Sequence, residues 1–308
     1  MSRIESVSAA FTLAAATALT MPSAATANAA ASVLEPASNW HLDMAEHKCR
    51  LLRMFGPEDA RTAFYLEQWE PSRAATWAVA GPLVDDYRIG EKASYAFGPG
   101  GDQGEIEVRD MDLGEFGRLV TASSPIVASS EKISDESEDE RDWSSDPVGL
   151  AALDAPPAKP IERFTLSQKG RADVRLDLGP MDKALAALNM CTEDLVKHWG
   201  FDPEQQRHVV SPPRITNMEQ VVDTIQREYP FKALRTGAQA YFMLRMTVTA
   251  DGTLEDCVMV NQTVADRFGE YDSPCGVMRK KAVFEPAKDA KGNGVRSYYL
   301  NRIFYRIG

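Results

Sequence analysis

The sequence predicts an α+β protein in two parts: a mostly antiparallel β domain with one helix, then a small β-β-α-β module. Three observations predict this. Between Cys49 and Leu178, short runs of strand character are separated by Gly and Pro, the pattern of an antiparallel sandwich or open barrel. Residues 181–200, MDKALAALNMCTEDLVKHWG, place apolar residues at helical spacing. Residues 240–249 alternate, with Phe242, Leu244, Met246 and Val248 apolar against Arg245, Thr247 and Thr249, the period of a strand with one buried face. A chain of 308 residues accommodates two such domains.

In chain order, residues 7–20 form an apolar run of 14, shorter than the roughly 20 that span a bilayer. Small residues follow at Ala25-Thr26-Ala27 and Ala27-Asn28-Ala29, the pattern of a cleaved signal peptide, here 1–29. Removal of this leader would leave no integral membrane segment. The first domain is expected over 38–205. Its strand candidates are Cys49–Phe55, ending at Gly56-Pro57, then Arg61–Trp69, Ala74–Ala80, Gln103–Val108, Glu162–Gln168 and Ala172–Leu178. In the second of these, Phe64, Leu66 and Gln68 fall on one side and Tyr65 and Glu67 on the other. The helix after Pro180 offers Leu185, Leu188, Met190, Leu195, Val196 and Trp199 as its apolar side.

Residues 128–160 read as a disordered acidic loop. From Glu131 to Asp146 there are eight acidic and two basic residues, and such low hydrophobicity with high charge does not support a packed core. A linker is expected at 206–216, around Pro212-Pro213. The second domain, 217–308, opens with a short helix ending near Glu228. After the alternating strand comes Asp251-Gly252, where glycine supplies the positive φ of a tight hairpin. Cys257–Thr263 returns as the second strand. Ser273-Pro274 starts a helix with a capping hydroxyl and a first-turn proline, running to about Phe284. The last strand is Tyr298–Ile307.

In this order Tyr229-Pro230, Ala233, Gly237, Asp251-Gly252, Cys257, Arg279, Phe284-Glu285-Pro286-Ala287 and Gly292 make the second domain similar to the TonB C-terminal domain family. The resemblance covers about 80 of the 308 residues. Ala240 stands where the family has the second glycine of a pair. The resemblance implies a β-β-α-β module in the periplasm of a Gram-negative cell. It also implies recruitment of an extended segment of an outer-membrane receptor as a strand added to the sheet edge. The last strand carries the candidate surface: Tyr298, Leu300, Arg302, Phe304 and Arg306 lie on one face, aromatic and basic together, while Tyr299, Asn301, Ile303, Tyr305 and Ile307 face the helix.

Charge and cysteines narrow the class. The net charge of −11 argues against a nucleic-acid partner. Residues 229–308 hold twelve Lys and Arg against eight Asp and Glu, a net of +4, so the remainder carries −15. Four cysteines, Cys49, Cys191, Cys257 and Cys275, suit two disulfides in an exported chain. Of the three connectivities, Cys257–Cys275 ties the second strand of the module to its helix, which leaves Cys49–Cys191. The cysteine spacings match no metal pattern, and His41, His47, His198 and His208 are not paired at metal spacing. There is no G-x-S-x-G elbow, phosphate loop or H-E-x-x-H. No cofactor and no enzymatic activity are therefore expected.

The expectation is a periplasmic protein-interaction module whose partner is an envelope protein, such as a TonB-dependent outer-membrane receptor. Two other classes fit the sequence less well. One is a divergent energy transducer that keeps its leader as an anchor. The other is a ligand-binding protein or enzyme with its site in the first domain.

Overall fold

The computed structural model describes residues 32–128, 149–228, 231, 235, 240–264 and 274–305. The expected signal peptide and residues 129–148 of the acidic stretch lie outside them. The first domain contributes β1 (His41–Met44), β2 (Cys49–Phe55), β3 (Thr62–Gln68), β4 (Ala75–Ala80), α1 (Pro82–Asp85), β5 (Lys92–Gly98), β6 (Gln103–Glu107), β7 (Leu119–Ser124), β8 (Arg163–Ser167) and β9 (Val174–Asp177). Then come α2 (Asp182–His198) and α3 (Pro203–Arg207). All pairings are antiparallel, in two sheets ordered β1-β2-β3-β4-β7 and β6-β5-β8-β9. Their inward residues form one core, so the sandwich is the arrangement adopted. Phe164 sits at its centre, with ring centroids 5.0 Å from those of Phe64, Trp77 and Phe97. Such tilted aromatic contacts add to the large apolar area each ring removes from water.

Helix α2 lays Leu185, Leu188 and Leu195 into the same core, and Cys191 is bridged to Cys49 on β2. Met190, expected on this apolar side, is 64% exposed. The buried stripe runs through 184, 185, 188, 191, 192, 195 and 196, and position 190 falls on the opposite arc of the helix. Strand β3 also departs from expectation, since all seven of its residues are buried. Its outer face is covered: the Arg50 guanidinium lies 4.5 Å from the Tyr65 ring centre. Leu52, Leu113 and Phe116 pack around Tyr65.

The C-terminal part of the loop assigned to 128–160 is packed. Leu153, Ala155 and Ala158 are buried, Pro156–Ala158 forms a 3-10 turn, and the Asn189 side chain both donates to and accepts from the Leu153 backbone. The charge that predicts disorder ends at Asp146; the alanine- and proline-rich piece after it carries enough apolar surface to close one end of the core.

The expected linker is likewise structured. β10 (Val209–Ser211) and β11 (Arg214–Ile215) flank Pro212-Pro213 and pair with later strands. After them come α4 (Met218–Arg227), β12 (Ala240–Val248), β13 (Leu254–Val264), α5 (Pro274–Lys281), β14 (Phe284–Glu285), β15 (Ala287–Asp289), β16 (Gly294–Val295) and β17 (Ser297–Tyr305). The main sheet is ordered β13-β12-β17, all antiparallel, while β11 pairs with β14 and β10-β15-β16 form a small sheet. Helix α5 stops at Lys281, three residues before the expected end, because Phe284 and Glu285 are taken up by β14. Val221 and Ile225 of α4 and Val277 and Met278 of α5 cover Phe242, Leu244, Met246, Val248 and Ile303. Gly252 closes the hairpin at φ +87°, and Cys257–Cys275 ties β13 to the first turn of α5. The chain is therefore α+β; three short strands, β14, β15 and β16, come between α5 and the last strand and were not in the expected order.

Candidate protein-binding edge

Strand β17 lies at one edge of the second domain's sheet, and β12 is its strand partner among the described residues. Its two faces behave differently. Tyr299 and Ile303 turn toward the helices; Tyr299 meets Phe284 edge-on at 6.0 Å and Ile303 is 8% exposed. The other face carries Tyr298, Leu300, Arg302 and Phe304. Arg306 lies outside the described residues. Opposite them on β12 stand Thr247, Arg245, Met243 and Tyr241, in that register. Phe304 is about half exposed and its ring stacks at 4.9 Å on that of Tyr241. Leu300 and Arg302 are half-buried.

Tyr298 is not available in the same way. Its ring packs against Trp199 at 5.2 Å and Phe201 at 5.4 Å, both from the first domain. This enclosure, with the nearby Glu70 carboxylate, pushes its phenol well above the ordinary tyrosine range. The same docking extends to neighbours. The Arg245 guanidinium stacks over Trp199 at 4.7 Å, and its burial holds it below the usual arginine range against the pull of Asp256 and Glu46. Arg296 lies over Phe201 at 4.7 Å, pairs with Glu255 at 2.7 and 3.0 Å, and donates to the Gly200 carbonyl at 3.2 Å. That carboxylate raises the Arg296 guanidinium, and in return Glu255 is held low. Gln206, 3% exposed, donates to the Arg296 carbonyl at 2.9 Å and accepts from the Ser297 hydroxyl at 2.6 Å.

No protein-family model and no curated protein matches this sequence. What the edge can do is therefore argued from geometry. Edge strands are where another chain can add by main-chain hydrogen bonds, and among the described residues β17 is the edge strand that carries Leu300, Arg302 and Phe304 on one face. Four of the five residues expected on this face fall on one described strand. One of them, Tyr298, serves the contact between domains.

The residues that make that contact, Trp199, Phe201 and Gln206, were not singled out from sequence as a contact surface. The signal was present in Trp199-Gly200-Phe201, two aromatics flanking a helix-ending glycine. Gly200 takes φ +82° and turns the chain so that both rings reach β17.

An open depression of about 210 Å³ lies between the β1–β2 turn and α2. Met44, Ala45, Glu46, Asp194, Leu195 and His198 line it with the Cys49–Cys191 bridge. Asp194 is already engaged by Lys197 at 3.0 Å. Among the described residues no three His, Cys, Asp or Glu side chains gather as metal ligands, and no helix is long and apolar enough to cross a membrane.

Proposed function

We propose that this chain is an exported envelope protein of a Gram-negative cell whose TonB-like second domain binds an extended segment of another protein as a strand added to β17. The observation that carries the reading is the position of β17: the edge strand of its sheet among the described residues, backed by a packed helical layer, with Leu300, Arg302 and Phe304 on one face. Main-chain hydrogen bonds supply affinity in such addition, and alternate side chains supply selectivity. The excess of basic residues in the second domain favours a segment with acidic side chains. The outer-membrane receptor class is the partner that the resemblance implies. Export is supported by the leader and by two disulfides, which persist in oxidising compartments. Periplasmic residence follows from the same reading.

The test is in-cell photocrosslinking with the probe at Asn301 and, separately, at Arg302. Capture of an outer-membrane receptor through its periplasm-facing segment is the expected result. Capture of a different envelope protein would make the chain an adaptor. Absence of adducts from both positions would refute strand addition at β17.

A further inference from the structure

The depression beside the Cys49–Cys191 bridge is independent of the candidate edge and has a chemistry of its own. Met44, Ala45, Leu195 and the bridged cysteines give it an apolar lining, and Met44 stays 58% exposed there. Glu46 and Asp194 bring two carboxylates, and among the described residues no Lys or Arg lines it. The carboxylates come from the two elements between which the depression lies, Glu46 from the β1–β2 turn and Asp194 from α2. Both keep capacity to accept. Lys197 takes Oδ1 of Asp194 at 3.0 Å, and a carboxylate has two oxygens and about four lone-pair sites. The Glu46 side chain is 76% exposed; His47 stands 3.8 Å from it, beyond hydrogen-bond distance, and Arg245 attracts it from further off.

We propose that this depression binds a short, straight-chain aliphatic diamine, with one ammonium on Glu46, the other on Asp194, and the methylenes against Met44, Leu195 and the bridge. Size favours this class. At about 30 Å³ for each water-sized group, the 210 Å³ holds about seven non-hydrogen atoms, the number in diaminopentane. Charge favours it as well: one ammonium answers one carboxylate and leaves the other unmet. A bare metal ion would gain nothing from the apolar lining, and the flexible thioether of Met44 adapts to a methylene chain. The net charge of the chain, −11, draws cations toward it.

The test titrates the intact oxidised chain with diaminopentane and, separately, with n-pentylamine, at matched ionic strength. The readout is the Met44 methyl signal and the backbone amides of Ala45, Glu46 and Leu195. A saturable shift of these signals is expected, with the diamine binding about threefold to fivefold more tightly, the yield of one further exposed ion pair. Glu46→Gln and Asp194→Asn alter exposed side chains, so the fold persists, and each should bring the diamine down to the affinity of the monoamine. Glu58→Gln makes the same charge change at a residue that does not line the depression and should leave affinity unchanged. Equal affinity for the two amines, or an equal loss in Glu58→Gln, would overturn the diamine and show general attraction of cations to an acidic chain. Absence of a saturable shift up to about 20 mM diamine would overturn the site itself. Neither result bears on strand addition at β17.

Discussion

Opening the Cys49–Cys191 bridge is the perturbation with the most predictable size. The bridge joins residues 142 apart, whereas Cys257–Cys275 spans 18. In the chain-entropy account a loop of the first size restrains the unfolded chain by about 5 kcal/mol and one of the second by about 3 kcal/mol. All four cysteines are at most 4% exposed, so serine pairs leave similar local defects and the difference between bridges reflects loop length. The assay is urea unfolding of the Cys49→Ser/Cys191→Ser and Cys257→Ser/Cys275→Ser chains. All five tryptophans, Trp40, Trp69, Trp77, Trp143 and Trp199, precede the second domain, but Trp199 also touches Tyr298 and Arg245, so with Trp199→Phe as the background of every chain the remaining emission reports the first domain. The first pair should move that transition by about 5 kcal/mol, or about 10–20 °C in Tm for a domain of this size. The second pair should leave the tryptophan transition nearly in place while lowering the far-ultraviolet transition of the second domain. A loss below about 2 kcal/mol for the first pair, or a larger loss for the second, would refute the loop-closure argument.

Three further outcomes follow from the packing. Glu67, 8% exposed, accepts from Arg50 at 2.6 and 2.8 Å and from the Trp69 indole at 2.9 Å, with Lys48 at 3.0 Å. Glu67→Ala strands those cations and should cost about 3 kcal/mol in the tryptophan-monitored transition. Gly294→Ala would put a Cβ 1.9 Å from the Ala250 carbonyl, whereas at Gly276 inside α5 nothing lies within 4 Å. The first should prevent or severely weaken folding of the second domain, and Gly276→Ala should stabilise it by about 0.5–1 kcal/mol. Finally, Asp251 and Asp289 are held low chiefly by hydrogen bonds from Thr249 and Asn293, and Glu285 by those from Lys288 and Arg214. Carboxyls depressed in the folded state contribute fully above their unfolded pKa and lose that contribution as pH falls through the folded value. Second-domain stability should be level near neutrality and decline below about pH 4.5, less steeply in Asp289→Asn, in a urea series from pH 7 to 3.

The strands readable from sequence are those in which aromatic or branched residues alternate between turn residues, such as Cys49–Phe55 and Ala240–Val248. Among those missed, β5 (KASYAFG) and β7 (LVTASS) mix a few large apolar residues with Ala, Ser and other weak strand formers. They are held in place by Phe97 and Val120 entering a core that the neighbouring strands already define. Local propensity is weak there and tertiary packing decides. Pro212-Pro213 looks like a break between domains, yet two short strands can flank a proline pair when each meets its own partner, as β10 and β11 do. The candidate edge was legible because Tyr298–Phe304 is rich in aromatic and branched residues. That its first residue belongs to a domain contact was not, because the contact joins residues about a hundred positions apart and no local pattern encodes it.

The two disulfides join each cysteine to the next in sequence: Cys49 with Cys191, then Cys257 with Cys275. For a polypeptide that crosses a membrane from its N-terminal end, order of appearance and native pairing therefore coincide. A thiol oxidant that couples whichever two cysteines have arrived reaches the correct set without an isomerase to undo crossed bonds. In such a passage the first bond would wait for α2, leaving the sandwich unlocked until Cys191 had followed all nine of its strands.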